Sequence, residues 1–342
     1  MPGDPFFYNA VRHFVIKILL FGLGRWGANH LRVLHNLPVD LYVVDVRSQQ
    51  LDAARKLGIA ADHISTDPRD FFGVVDVAVV VTPAQTHFEL VRDLMLAGKD
   101  VFVEKPITLV SSEARKLAEL AAEKERILQV GHIFRFDPAS QWLRDNIQSG
   151  QFGRINMMRG NFSGFKRPRN DSGVAFADAI HFIDLFNYFM GGTPARVSAV
   201  MQDFLGRGMD DASAISMEYD TPNGVAWATV ETNYWLPGKF REVTVIGSQL
   251  SAVCDYNVAQ YKIKAYPNHF VQKGTDFQGV EGVVQQIECP PEEPLLAELR
   301  AFIESTKTRQ APRADGWAGV DSVRVLEAAI EAAKSGKITP VL

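Results

Sequence analysis

KILLFGLGRWGANHLRVLHNL, residues 17–37, passes from an uncharged apolar stretch, Ile18 to Phe21, into Gly22-Leu23-Gly24-Arg25-Trp26-Gly27. A helical pattern follows at once, with Leu31, Leu34 and Leu37 on one side. Strand, glycine turn and helix form the context in which G-x-G-x-x-G marks a dinucleotide site. Gly22 permits the tight turn, Gly24 lets the backbone approach a pyrophosphate, and Gly27 lets the helix lie close on the sheet. The helix N-terminus then offers N–H groups to the phosphates, with Arg25 and Trp26 as further candidate contacts. A glycine turn alone is a weak signal, shared with methyltransferases. Its complement is an acid ending the next strand, about 20 residues on, and Leu41-Tyr42-Val43-Val44-Asp45 supplies one. A carboxylate at Asp45 accepts from the adenosine ribose and repels a 2′-phosphate, which favours NAD. Arg47 leaves NADP open.

The chain has 342 residues, enough for two domains. Hydrophobic content of 46% with 22% charged residues is that of a globular protein. A net charge of −4 argues against nucleic acid held by bulk electrostatics. Cys254 and Cys289 form no framework and no C-x-x-C motif, which fits a reducing cytoplasm. No apolar stretch reaches the roughly 20 residues of a membrane span. The apolar run 13–24 lacks a small-residue cleavage site and leads straight into the glycine turn, so it does not read as a signal peptide. Residues 1–12 read as a loosely held leader.

Outward from the glycine turn, helical and strand patterns alternate. A helix over 48–57 and a short strand near Ile64 precede the β-branched run VVDVAVVV at 74–81, as expected of a strand buried on both faces. A helix with Phe88, Val91 and Met95 inward leads to a strand at 100–104, a helix from Ser111 and a strand at 127–130. This is the pattern of a doubly wound parallel sheet. Past Phe136-Asp137-Pro138 the rhythm changes. Helices are expected over 139–149 and 178–190, and strands at 155–162, 197–204, 212–219, 225–234, 242–246, 251–255 and 261–266. The last six have no intervening helices, so their sheet is largely antiparallel. Both of its faces are fairly apolar, so helices cover one and a second subunit is the economical cover for the other. Helices over 294–306 and 317–335 close the chain. The expected division is a nucleotide domain, 13–136, and a substrate-binding and oligomerisation domain, 137–342.

Three groups sit where a parallel sheet places its ligands, at strand C-terminal ends and on the helix that follows. They are Thr82-Pro83 with His87, Glu104-Lys105-Pro106, and the helix carrying Asp178, His181 and Asp184 on one expected face. With these residues the sequence resembles the glucose–fructose oxidoreductase / inositol 2-dehydrogenase (Gfo/Idh/MocA-type) family of NAD(P)-dependent oxidoreductases. The matching segments are GLGRWG at Gly22, TPAQTH ending at His87, AGKDVFVEKP ending at Pro106, GHIFRFDP starting at Gly131, GQFGRI starting at Gly150 and IHFIDL starting at Ile180. The resemblance spans roughly residues 17–340, and EKP is its specific part.

The resemblance implies a Rossmann domain followed by an α+β domain whose open sheet serves as a subunit interface, in a homodimer or homotetramer. It implies a sugar, inositol or nucleotide-linked sugar as substrate, and places Thr82, Pro83, His87, Glu104 and Lys105 along the cofactor. The EKP lysine, Lys105, lies in such proteins near nicotinamide and the substrate hydroxyl, and the helix histidine, His181, acts as acid/base. Many members carry an aspartate four residues before that histidine. Here that position is Ala177, with Asp178 one residue later. The role of Asp178 therefore stays open, and Asp184 is the alternative partner of His181. The chemistry is coherent: hydride leaves a carbinol carbon only as its hydroxyl proton is removed, and histidine suits that task. A neighbouring lysine ammonium stabilises the developing alkoxide and lowers the histidine pKa.

Lys166-Arg167-Pro168-Arg169, just before this helix, offers cations for a phosphate, diphosphate or carboxylate, with Lys166 and Arg169 as the candidates; a solvated charge run is the bland alternative. Arg135, at the domain junction, is a further candidate for the substrate. No cysteine cluster or second histidine motif supports a metal at Asp178, His181 and Asp184. A dehydrogenase of inositol or a neutral sugar, and a non-catalytic dinucleotide-binding regulator of the same fold, are the competing readings.

Overall fold

The computed structural model describes residues 15–342, so the expected leader lies outside the described residues. The chain divides into two compact units, one ending at Val81 and the other beginning at Thr82.

The first unit comprises β1 (Lys17–Phe21), α1 (Gly27–His35), β2 (Asp40–Val44), α2 (Asp52–Lys56), β3 (Ile64–Ser65) and β4 (Val77–Val80). In β1, β2 and β4 every residue but Lys17 and Asp40 is buried. Ile18 pairs in parallel with Leu41 on one side and Val77 on the other. β4 is shorter than its β-branched run, because Asp76 turns its carboxylate onto the Lys17 N–H at 2.8 Å and Val74 is exposed.

The second unit begins with α3 (His87–Leu96), β5 (Asp100–Val103), α4 (Ser111–Glu123) and β6 (Leu128–Val130). It continues through α5 (Pro138–Gln148), β7 (Ile155–Asn161), α6 (Ile180–Met190), β8 (Arg196–Gln202), β9 (Ala212–Thr221) and β10 (Gly224–Asn233). β11 (Glu242–Gly247), β12 (Ser251–Asp255), β13 (Ile263–Tyr266), β14 (His269–Lys273), β15 (Asp276–Val280) and β16 (Gln285–Ile287) follow. α7 (Pro294–Thr308), α8 (Gly316–Ser335) and β17 (Thr339–Pro340) end it.

The first sheet is six-stranded, ordered β3-β2-β1-β4-β5-β6, and the pairings within each unit are parallel. The second is nine-stranded, ordered β16-β13-β12-β11-β7-β10-β9-β8-β17, and parallel only between β7 and β10. The fold is thus a doubly wound α/β sheet plus a large, mostly antiparallel one.

One face of the nine-stranded sheet packs on α5, α6 and α8 through Phe182, Phe186, Met217, Val245 and Leu326. On β10, Ala226, Ala228 and Val230 point into this core, while Val225 and Trp227 alternate outward and are exposed. The hairpin of β14 and β15 has no counterpart in the sequence pattern. All its residues are exposed, so no buried face left a period to read.

Candidate active site

In the first unit, the glycine turn is shaped by what a side chain would strike. Gly22 has φ of 87°, which favours glycine, and its N–H donates to Val44 O at 2.8 Å. A Cβ on Gly27 would lie 1.9 Å from Gly22 O, so only glycine lets α1 start against the strand end. A Cβ on Gly24 would meet no protein atom within 4 Å, so the space over this backbone is open. No side chain caps α1 and no acidic residue lies in its first turn, so its positive end is unscreened. Arg25 and Trp26 are exposed on this turn.

Asp45 accepts from the Leu23 N–H at 2.8 Å, and from the Arg47 N–H at 2.9 Å and Nε at 3.3 Å. Burial pushes this carboxyl up, but the backbone N–H groups of Arg47 and Leu23 outweigh it and hold the group ionised. Arg47 is thereby drawn onto the acid. Turn, helix end and carboxylate together fit a dinucleotide.

In the second unit, Lys105 follows β5, and its bond to Pro106 is cis. Its Nζ donates to Ala177 O at 2.5 Å, which ties the end of the parallel sheet to the segment leading into α6. Burial, foremost, lowers this ammonium to about 8; Asp178 and Glu104 oppose the shift, and Arg169 and Lys166 add to it. Glu104 takes the Lys105 N–H at 3.1 Å and lies so close to Gly131 that a Cβ there would stand 2.9 Å from its carboxylate. Glu104 is therefore a brace of this turn.

Ala175–Ala179 is a π-helical turn, from which α6 continues. Asp178, on the turn, pairs with Lys166 Nζ at 2.7 Å. His181 stacks on Phe162, with centroids 5.1 Å apart and planes at 24°, and meets Phe134 edge-on at 5.2 Å. Gly160 on β7 makes this possible: a Cβ there would come within 2.7 Å of Phe182, which packs α6 onto the sheet. No described residue hydrogen-bonds the His181 imidazole, and its Nδ1 is buried. Burial, then the charge of Lys105, pushes its pKa well below the usual histidine range, so the ring is neutral.

Arg241, just before β11, sets its guanidinium carbon 3.5 Å from the Phe162 centroid. Its Nη1 donates to Ser163 O at 3.0 Å and to Phe240 O.

Several expected site residues do other work. Asp184 does not back His181: Arg135 grips it through Nε at 2.9 Å and Nη2 at 2.7 Å, and His132 Nδ1 lies 3.5 Å away. Asp178, His181 and Asp184, expected on one helix face, therefore do not act as a unit: Asp178 lies on the π turn and pairs with Lys166, and Asp184 lies on α6 and pairs with Arg135. The remaining nitrogen of Arg135 donates to Arg313 O at 2.8 Å and its guanidinium lies over Tyr188, so its donors are taken up within the protein. Both ring nitrogens of His87 are engaged by backbone. The side chain is buried, with Nδ1 2.8 Å from Pro106 O and Nε2 2.9 Å from Thr82 O, so it joins two strand-end turns. Pro83 is exposed, and the Thr82 hydroxyl lies 2.7 Å from that of Thr86. Arg169 is closed off by Asp171, which it holds through Nε at 2.8 Å and Nη2 at 2.7 Å.

Two residues went unnoticed. His132, fully buried and lowered to about 4 chiefly by burial, lies inside the GHIFRFDP segment and was within reach of that motif. Arg241 carries no motif at all. Among the described residues there is no group of three or more His, Cys, Asp or Glu side chains able to hold a metal ion. Cys254 and Cys289 are both free and buried. No helix among the described residues is long and apolar enough to cross a membrane.

A Rossmann sheet with a glycine turn and a lysine after β5, followed by an α/β domain with a histidine on α6, defines a nicotinamide-dependent oxidoreductase. Residues 16–132 match the oxidoreductase family's NAD-binding Rossmann fold, and residues 144–341 match its C-terminal alpha/beta domain. The chain belongs to the Gfo/Idh/MocA oxidoreductase family, and its cofactor is NAD. It is 26% identical over 351 residues to inositol 2-dehydrogenase 2 of Saccharopolyspora erythraea, covering 95% of each chain. It is 28% identical over 260 residues to UDP-N-acetylglucosamine 3-dehydrogenase of Acidithiobacillus ferrooxidans, covering 75% of this chain and 77% of that one. Among solved structures, levoglucosan dehydrogenase in complex with NADH and levoglucosan shares the fold, with a TM-score of 0.80 at 19% identity over 95% of this chain and 99% of the other.

Proposed function

We propose that the chain oxidises a CH–OH group of a sugar, or reduces the corresponding ketone, with Lys105 exchanging the hydroxyl proton and His181 holding the same oxygen. The single observation that carries this reading is the Lys105 Nζ contact to Ala177 O, which sets the lysine beside the segment that presents His181. Bound nicotinamide supplies the hydride chemistry. The expected roles are exchanged for an electrostatic reason. An imidazole is a strong base when a carboxylate backs it, and here Asp178 is held by Lys166 and Asp184 by Arg135. An amine titrating at about 8 stands near the pH at which such an enzyme works. Phe134 and Phe162 keep water from the neutral imidazole.

The substrate suited to this site is anionic. Lys105, Lys166, Arg169 and Arg241 outnumber Glu104, Asp171 and Asp178 around it. Relatives named for inositol and for a nucleotide sugar bracket the alternatives. The division of labour falls near residues 136 and 137. The exposed β10 face with Val225 and Trp227 is the surface on which two copies associate, and light scattering of Trp227→Lys against the parent tests it. The two free cysteines suit a reducing cytoplasm.

The pH dependence of kcat/KM for oxidation tests the chemistry. The base must be unprotonated, so activity climbs as pH rises through about 8 and levels off above it. A profile flat from pH 7 to 9 with an acid limb below 6 would return the proton to His181. No nicotinamide reduction with any polyol, despite tight NADH binding, would leave a regulator.

A further inference from the structure

We propose that Arg241 receives a carboxylate of the substrate, so that the molecule oxidised is a sugar acid rather than a neutral sugar or a nucleotide sugar. This rests on the reading of Lys105 and His181 as the reacting centre.

The cations around that centre differ in what they still have to give. Asp171 closes the Nε–Nη2 edge of Arg169, with bonds of 2.8 and 2.7 Å. Asp178 takes Lys166 at 2.7 Å, and Lys105 is turned to Ala177 O. Arg241 is held from its other end: Nη1 alone donates to Ser163 O and Phe240 O, while no described residue accepts from Nε or Nη2. That pair of N–H groups is the edge whose geometry matches two coplanar carboxylate oxygens.

The guanidinium has little freedom to look elsewhere, since it lies 3.5 Å from the centroid of Phe162. The same ring stacks on His181 at 5.1 Å, so the free edge and the neutral imidazole share one support. Among the described residues, the carboxylate whose charge acts on Arg241 is Asp178, whose contact at 2.7 Å is with Lys166. A half-buried arginine with a free donor edge calls for an acceptor. A carboxylate fits one planar edge, whereas a diphosphate spreads its charge over several cations, and Lys166 and Arg169 are spent. The plain alternative is that Arg241 only props the Ser163 and Phe240 backbone against Phe162.

Calorimetric titration of the NADH-loaded protein with matched pairs (glucuronate and glucose, galacturonate and galactose, mannuronate and mannose), and with UDP-glucose, decides between these. The best uronate is expected to bind about 10- to 100-fold tighter than its neutral partner, the range of one charge-assisted bidentate contact. R241Q should collapse that ratio toward one, and R241K should keep part of it, because its ammonium retains the positive charge but not the planar two-donor edge. Thermal melting of both variants shows whether the prop itself matters. A parent that binds no uronate better than its partner would overturn the proposal. So would an R241Q variant that weakens both members of a pair alike, or UDP-glucose binding that is the tightest and the most sensitive to R241Q. Uronate preference without NADH formation from NAD would leave Arg241 in its role and remove only the dehydrogenase reading.

Discussion

The glycine turn and the lysine–histidine cluster show two ways of building a site. In the turn, the candidate contact atoms are backbone N–H groups; a Cβ at residue 27 would collide with Gly22 O, while one at residue 24 would enter open space. The segment is continuous and depends on one distant side chain, Asp45. In the cluster, the candidate working atoms are side-chain ends on the turn after β5, the π turn, α6 and the loop before β11, and Lys105 and His181 are tuned by burial and by charges mostly distant in sequence. The first kind of site is a matter of spacing and the second a matter of pairing. A substitution in the turn therefore acts through shape, and one in the cluster acts through who is left without a partner.

The largest effect should come from breaking a pair. Asp184→Ala leaves Arg135 buried without its counter-charge, and unfolding in urea should show a loss of about 3–5 kcal/mol. Replacing both residues with apolar ones of similar volume should recover most of it. If Asp184→Ala instead spared stability and abolished turnover, Asp184 would belong with His181 after all.

Next is the reacting centre. Lys105→Met should lower kcat by about 10²–10³-fold, as expected for a positioned acid–base group, while the Kd for NADH, read by fluorescence, changes less than about threefold. The limb near pH 8 should vanish with it. A loss that lay wholly in NADH affinity would make Lys105 part of the cofactor site alone.

Shape comes third. Gly27→Ala forces α1 away from Gly22 O and should cost about 1–3 kcal/mol, the range for overpacking, with weaker NAD binding as its companion. Gly24→Ala meets no protein atom, so it should leave the melting temperature in place and weaken only NAD. Equal destabilisation by the two would erase the distinction between a packing glycine and a ligand-facing one.

These contrasts explain what could be read in advance. Gly22, Gly24, Gly27 and Asp45 were legible because backbone recognition fixes spacing, and Lys105 and His181 because EKP and the helix motif are continuous strings. The partners of Asp178, Asp184 and Arg135 were not. A three-residue spacing places Asp178, His181 and Asp184 near one face of a regular helix, but Asp178 stands on the π-helical turn Ala175–Ala179, which its alanine-rich sequence does not announce, and Arg135 reaches Asp184 from the segment before α5. Arg241 was illegible for another reason. It lies beside Phe162 only because β11 pairs with β7, setting Glu242 opposite Asn161, and no local pattern encodes that register.

The smallest effect sharpens this last point. Arg169, in the conspicuous basic loop, drew attention as a substrate clamp, yet its fork is filled by Asp171 and half its side chain is exposed. An exposed pair of this kind contributes little and is screened by salt. Arg169→Ala should therefore raise KM for an anionic sugar by less than about threefold, against the larger change expected at Arg241. Steady-state kinetics on both variants at low and moderate salt would measure the difference. A rise of tenfold or more at Arg169, together with an equal rise for Asp171→Asn, would mean that the pair opens to admit the ligand. The charge run would then be the clamp it resembles in sequence.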